Sequence, residues 1–509
     1  MRHSRFSKAL VGSLGLALVL PFTLASSETP AAASPTTSAA GGQGASPTNA
    51  APGQGTSFQN LNGFMWFYNT YFSYKYTDIT KNLPTLKRDG VRVLGFFSPY
   101  DGSTTWCDGC DPVDFYNVSP QNGTLQDWKN LVAAAHREGI KVVSYFVGIY
   151  MDENSSYFKT AETQYAAGDR TSREVSSFDW TTNPNDPLPR IQSGPPSWSS
   201  WTWSPTAHAY YWKLWFGPGF NYDLPGNTAE VARIEKFWLN TGMDGFMWDV
   251  GKLDPSFQPY EVTLPKTYTK TDKWLTIETS TSANAAAYQD FGLTSWFNYQ
   301  DDNTENDYTR ILDGSIDANG LESALEINDY ARVHGDTTLA WSIWGDDPDT
   351  NLIPHTYPTY SNDDVMRVQE AALLAGSGIL YGSAMYDQYI RWSPTLRANW
   401  DRVLQTVNNN KALLPAASRT RVPAGSDPKV FAERRTSGDG KQTALLVYNV
   451  NSTAKDVTVD LTGTGIDTHQ IPKDLYNGGK APAIKGTSYT VHLPAYGFTM
   501  LQVSTGQQP

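Results

Sequence analysis

The residue of this chain best placed to do chemistry is Asp249, in the run FWLNTGMDGFMWDVGK from Phe237 to Lys252. Gly245 to Val250 is short, apolar and β-prone, it follows a helical pattern, and it delivers one carboxylate to the carboxyl end of a buried strand. In parallel α/β folds that end carries the reacting groups. An aspartate there also suits the cap of a following helix, and the strand alone leaves both readings open. The next β-prone run, Trp274 to Glu278, likewise ends on a carboxylate.

The elements that must position these acids alternate short apolar runs with helical patterns, the sign of β/α units around a parallel sheet. The predicted strands are Phe64 to Tyr68, Val91 to Phe97, Lys141 to Val147, Gly245 to Val250, Trp274 to Glu278, Ser295 to Tyr299, Leu339 to Trp344 and Gly378 to Tyr381. Between the third and fourth lies Gly148 to Thr206, rich in Trp, Ser, Pro and Asn with little helical periodicity, and it is predicted to be an irregular excursion. Loops of that length in a compact domain are usually functional. From about Thr420 the pattern changes to alternating strands with Gly, Asn and Asp turns, which predicts a separate antiparallel β-sandwich over 420–509. The barrel-forming region is then 57–419, with 148–206 as its insertion.

Arg2, Arg5 and Lys8, the apolar run from Ala9 to Leu20 and the small residues near Ala25 read as a secretory signal peptide over 1–26. The Ala, Ser, Pro, Thr and Gly of 27–56 cannot bury enough apolar surface to order a chain, and predict a flexible linker. No later run approaches the roughly 18 apolar residues of a membrane span. The expectation is a secreted, extracellular monomer that is soluble once the signal is cleaved. A formal net charge of -12 argues against nucleic acid or an anionic membrane as partner, although a soluble acidic surface accounts for it equally well. The 17 Trp and 28 Tyr exceed what core filling requires. Flat apolar rings with polar edges suit a carbohydrate substrate. Cys107 and Cys110, in WCDGC, predict a small loop-tying disulfide in an exported protein. A metal site would need two more ligands, and the His residues show no spacing that supplies them.

Three segments, in order, resemble the alpha-amylase family of glycoside hydrolases. GCDPVDFYNVSPQNGTLQDWKNLVAAAHREGIKVV is similar to the family's GYDxxDY, GTxxDF and AHxxGIKVI succession into the third strand. FNYDLPGNTAEVARIEKFWLNTGMDGFMWDV is similar to its LNYDNP helix and GFRxD fourth strand, and ALLAGSGILYGS to its eighth. The resemblance implies a (β/α)8 TIM barrel with an excursion after strand 3 and a C-terminal β-sandwich. It also implies a retaining glycosidase for α-linked glucose-type oligo- or polysaccharides, or a related transglycosidase. Asp249 matches the family's nucleophile, which forms a covalent glycosyl-enzyme, and Glu278 its general acid/base. Asp346, in WSIWGDDPDT, stands in register with the transition-state stabiliser, with Asp347 beside it; the same DDPD also makes a good turn. Lys252 stands where many members place a lysine that contacts the leaving-group sugar. Tyr68 and Trp344 are stacking candidates, and core packing suits these aromatics equally well.

The chain departs from the family pattern around the reacting sugar. Met247 replaces the arginine of GFRxD, Tyr145, Ile149 and Tyr150 stand near the usual Asp and Asn-His of the third strand, Gly345 replaces a His and Cys110 a Tyr. The substituted subsite, which includes Met247, Tyr145 and Tyr150 as substrate-binding candidates, implies an unusual substrate preference. The opposite reading is a chain that has lost catalysis and keeps only carbohydrate binding; acids retained at strand ends favour activity. No cofactor is expected. The calcium common in the family loses a supporting asparagine here, so no metal is assigned.

Overall fold

Strands β1 (Phe64–Phe67), β2 (Val93–Phe96), β3 (Lys141–Phe146), β4 (Gly245–Trp248), β5 (Trp274–Thr279), β6 (Ser295–Asn298), β7 (Thr337–Trp341) and β8 (Ile379–Tyr381) pair in chain order. Every pairing is parallel, and β8 returns beside β1 to close the barrel. The structure is a computed structural model that describes residues 57–70, 72–102, 111–189, 199–214, 216–221, 224–248, 273–279, 295–298, 307–333, 337–341, 363–375, 379–381 and 386–506. Each predicted strand is present, its ends shifted by up to three residues.

The helices start and stop where their sequences say. Helix α1 (Tyr76–Asp89) buries Tyr76, Ile79, Leu83 and Leu86 along one stripe and ends at Gly90, whose φ of 105° only glycine adopts freely. Helix α2 (Leu125–Glu138) begins with a capping box. The Asp127 N–H donates to Thr124 Oγ1 at 3.1 Å and the Thr124 N–H donates to Asp127 Oδ2 at 2.9 Å.

The barrel interior is aromatic. Phe64 of β1 and Trp274 of β5 lie with ring centroids 6.0 Å apart, and since these strands sit on opposite sides of an eight-membered ring, the two meet on the barrel axis. Phe67 and Phe96 point the other way, and Phe96 packs edge-on at 5.1 Å against Trp128 of α2. Inside, Gly95 sits opposite Trp66. A Cβ there would come within 2.2 Å of Phe64 Cζ and 2.3 Å of Trp66 Cε3. The amino-terminal mouth is closed by Phe58, stacked on Trp274 at 5.1 Å. Beneath it Lys141 donates to Asp244 at 3.0 Å and His136 meets the other oxygen at 2.7 Å.

The excursion corrects the sequence expectation of irregularity. It carries helix α3 (Ser156–Ala166) and a small antiparallel sheet built on the hairpin Ser199–Ser204 and Ala209–Leu214, and its pairing runs past Thr206 to Gly217–Pro218. Ser, Thr, Trp and Tyr alternate in SSWTWS and AYYWKL, and aromatic and β-branched residues favour a pleated surface over the coil that neighbouring Pro and Asn suggest. Its stem is tied down where the Phe220 N–H donates to Ile149 O at 2.9 Å. Helix α4 (Pro225–Leu239) then leads back into β4.

The C-terminal β-sandwich begins with β9 (Ser418–Arg421), followed by β10 (Val430–Thr436), β11 (Thr443–Asn449), β12 (Lys455–Asp460), β13 (Ser488–Leu493) and β14 (Phe498–Val503). Strands β9, β10, β11 and β14, with Lys473–Asp474 at the edge, form one antiparallel sheet, and β12 pairs with β13. Val430, Ala432, Leu445 and Val447 pack towards Val457, Val459 and Val491 of the small sheet. Phe431, Leu446, Tyr448 and Met500, on the opposite face, join the barrel core. Tyr448 donates to Ala372 O at 3.2 Å, and Gln369 Nε2 to Asn449 O at 2.8 Å. At the same junction buried Arg419 pairs with Glu322 at 2.8 Å and Asp329 at 3.0 Å, both on helix α5 (Ala318–Val333).

Substituting Gly95→Ala should lower stability by about 1–3 kcal/mol through overpacking against two rings that have no other space. Thermal unfolding measures this; a melting temperature equal to that of the unsubstituted protein would mean that the aromatic pair has room to yield.

Candidate active site

Parallel strands put neighbouring residues on a common face, and β3 and β4 are in register with Tyr145 opposite Met247. Trp66 touches Tyr145 edge-on at 6.4 Å, which identifies the face as the barrel interior. Phe97 stacks on Tyr145 at 4.8 Å and Tyr68, one residue beyond β1, stacks on Phe97 at 6.2 Å. Tyr68, Tyr145 and Met247 are all buried. Three substrate-binding candidates from the sequence are thus gathered into one dry aromatic floor near the carboxyl end of the barrel. Tyr150 is placed elsewhere: it bridges to Gly219 in the stem of the excursion, buried against Phe216 at 6.0 Å. Glu278 belongs to β5, where its backbone lies opposite Phe297 of β6. Asp249, Lys252, Trp344, Asp346, Asp347, Cys107 and Cys110 lie outside the described residues.

The residue before Asp249 is held by a side chain that sequence reasoning missed. Trp248, on the helix-facing side of β4, donates its indole N–H to Glu235 Oε1 at 2.5 Å. Glu235 is fully buried, and that burial pushes its carboxyl up to about 8, against the opposing pull of the Trp248 bond. At neutral pH it is therefore mostly a neutral acid. Val231, Ile234, Glu235 and Trp238 follow the spacing i, i+3, i+4, i+7, so the helical pattern already placed this glutamate on the apolar face.

Beyond β3, Tyr100 steadies the strand end by accepting the Val147 N–H at 2.8 Å. Asp111 and Asp152 are both buried nearby, and burial, then the charge of Asp152, raises Asp111 to about 7. Glu153 next in sequence stays below the usual glutamate range despite its burial, because Lys213 and Tyr211 each donate to it at 2.5 Å. The Glu153 contacts tie the excursion to itself, and the Asp152 N–H, donating to Pro112 O at 2.9 Å, fastens it to the segment between β2 and α2. Among the described residues no three His, Cys, Asp or Glu side chains converge as metal ligands. At the opposite end of the barrel Asp244 is held ionised, since His136, Lys141 and the Val142 N–H together outweigh its burial. Of the two aspartates in MDGFMWD, the first is therefore structural.

Residues 57–291 match the family model for the alpha amylase catalytic domain, and 421–500 match that for the maltogenic amylase C-terminal domain. Over residues 57–291 the chain is similar to the alpha-amylase family. Among curated proteins it is 30% identical over 174 residues to a trehalose synthase/amylase of Mycolicibacterium smegmatis, a match that covers 34% of this chain and 28% of that protein. It is 30% identical over 175 residues to an oligo-1,6-glucosidase of Parageobacillus thermoglucosidasius, covering 34% and 30%. The chain thus spans less than a third of the length of these relatives. In fold it is similar to Amy13B of Eubacterium rectale, with a TM-score of 0.67 at 15% identity over 90% of this chain and 98% of that one. An alpha-amylase from H. orenii gives 0.65 at 18% identity, over 87% and 100%. Both family matches agree with the (β/α)8 barrel and C-terminal β-sandwich described above.

The raised Glu235 predicts a pH effect on stability. Between about pH 4.5, where an unfolded glutamate releases its proton, and about pH 8, the folded chain keeps a proton that the unfolded chain has lost, so stability falls as pH rises. Glu235→Gln keeps an acceptor for Trp248 and should remove that slope, so that relative to pH 4 the variant gains on the order of 5 kcal/mol over the unsubstituted protein above pH 8. Urea unfolding across the range tests this, and parallel stability curves for the two proteins would contradict it.

Proposed function

We propose that the chain is a secreted retaining glycosidase, or a related transglycosidase, acting on α-linked glucose-type saccharides. The observation that carries this reading is the pairing of β4 with β5. Trp248 lies opposite Ile277, and the residues that follow these two in sequence are Asp249 and Glu278. Two carboxyl groups leaving adjacent parallel strands at one barrel end are what a double displacement at a sugar carbon requires.

In this mechanism Asp249 attacks the anomeric carbon while Glu278 donates its proton to the glycosidic oxygen, so the bond to the leaving group breaks as the glycosyl-enzyme forms. Glu278, now a carboxylate, takes a proton from water or from a sugar hydroxyl, whose oxygen attacks the same carbon and frees Asp249. Asp346, or Asp347 beside it, opposes the positive charge that develops on the ring. The cycle requires Glu278 to start protonated, which an anionic Asp249 nearby would favour. Lys252 contacts the leaving-group sugar. The names of the relatives, trehalose synthase/amylase and oligo-1,6-glucosidase, support an α-glucoside and leave hydrolysis and transfer both within the family's reach.

Met247 brings no hydrogen-bond donor to the reacting sugar where the family's arginine would, and each such donor contributes on the order of 1 kcal/mol. Poor turnover of starch and maltose relative to a less common α-glucoside is the expected result on a panel of α-1,4, α-1,6 and cyclic glucans; a specificity constant on starch equal to that of ordinary amylases would remove the proposed preference. Asp249→Asn should abolish turnover with the fold intact. Glu278→Gln should retain the first step on activated aryl glucosides, whose leaving groups need no proton. Proton NMR of the first product should show the retained anomer, and an inverted product would overturn the assignment of both acids.

A further inference from the structure

The Trp-rich excursion leaves the barrel after β3 and re-enters through α4, which leads to the start of β4, so it stands at the carboxyl end of the strands. Within its hairpin Trp201 lies opposite Trp212 and Trp203 opposite Tyr210. Opposite residues share a face and so do residues two apart, which gathers all four rings on one side of the ribbon. The two inner rings are anchored. Trp212 is buried with its N–H on Ser199 Oγ at 2.8 Å, and Trp201 donates to Asp186 O at 2.9 Å.

The outer pair is different. Trp203 is 46% exposed and stands edge-to-face with Tyr210 at 5.0 Å. Neither the Trp203 indole N–H nor the Tyr210 hydroxyl has a hydrogen-bond partner among the described residues. At the turn His208 takes a left-handed φ of 52°, costly for a residue with a Cβ, and its ring lies 6.4 Å from that of Trp203. Folding has little to gain from exposing a tryptophan beside a strained turn when Trp201 and Trp212 already fix the hairpin.

We propose that Trp203 and Tyr210 form a stacking platform for glucosyl units of an extended α-glucan, away from the reacting carbon. Glucose rings present an apolar face rimmed by hydroxyls, which matches an exposed indole beside a half-buried phenol, both with open polar edges. The strip is two residues wide, whereas a stable protein partner needs about 800 Å² on each side. The inference rests on the α-glucan reading above and deepens it: the substrate is a chain rather than a disaccharide, since a disaccharide gains nothing from a second foothold.

The test uses the full-length protein, Trp203→Ala and Trp203→Phe. Binding to amylose, dextran and pullulan is measured by affinity gel electrophoresis, and kcat/KM on whichever of these binds is compared with kcat/KM on 4-nitrophenyl α-glucoside. The expected result is that the ratio of polymer to aryl-glucoside kcat/KM falls about tenfold in Trp203→Ala, with a matching loss of glucan retardation. Trp203→Phe should recover most of both. Glucan binding by Trp203→Ala equal to that of the unsubstituted protein would overturn the platform, as would an equal fall on both substrates. So would a dimer in size-exclusion chromatography that Trp203→Ala dissociates, because the face would then be an interface between copies. An unsubstituted protein that cleaves the aryl glucoside but binds none of the three glucans also overturns the platform and leaves the catalytic reading standing. One that binds glucan through Trp203 but cleaves no α-glucoside does the reverse.

Discussion

A side chain on a parallel barrel strand faces either the axis or the helices, and the choice alternates at each residue. The features of this barrel described above follow from how the sequence meets that constraint. On β1, Phe64 and Trp66 go inward and Phe67 outward. Two large rings so close together leave space on β2 for nothing larger than Gly95. The same alternation sets Tyr145 and Met247 side by side beneath the strand ends, and sends Trp248 back to a buried acid on the preceding helix. A slip of one residue in β4 would exchange the two roles. Met247 would then face the helices and Trp248 would fill the floor.

Charge is distributed in keeping with this architecture. Asp244, at the closed end, is surrounded by His136, Lys141 and a backbone N–H and stays ionised. Glu235, on a helix face otherwise apolar, has one indole donor for a partner and remains largely protonated at neutral pH. Asp111, buried beside Asp152, is pushed up by burial and then by its neighbour's charge. Asp244, Glu235 and Asp111 thus behave differently, each according to its burial and to the donors and charges that reach it.

The strands were legible because their runs are uniformly β-prone and bounded by helical stretches of the other period. Helix α2 was legible through GTLQDW, whose Thr124 and Asp127 cap each other as that spacing suggests. The excursion was not, since Pro and Asn around it mask an alternation that only the paired hairpin makes plain. Glu235 could have been read from its place in a stripe of Val231, Ile234 and Trp238, but a lone glutamate there resembles a solvated position until its burial is seen. The candidate acids Asp249 and Glu278 were proposed through the order of motifs along the chain. No local physical property singles out Asp249 over Asp244, two strand-flanking aspartates that differ only in which end of β4 they occupy.

The central sheet of the β-sandwich is covered on both faces, by β12 and β13 on one side and by the barrel core on the other, and all of β11 from Thr443 to Asn449 is buried. Such a strand has no solvent face to present if its neighbour is taken away. The C-terminal region is therefore not a detachable module that could be exchanged between enzymes at a linker. Barrel and sandwich should therefore unfold in one heat-absorbing transition, and a chain cut near residue 417 would expose Phe431's former contacts on the barrel as an adhesive surface, prone to self-association before any question of catalysis arises.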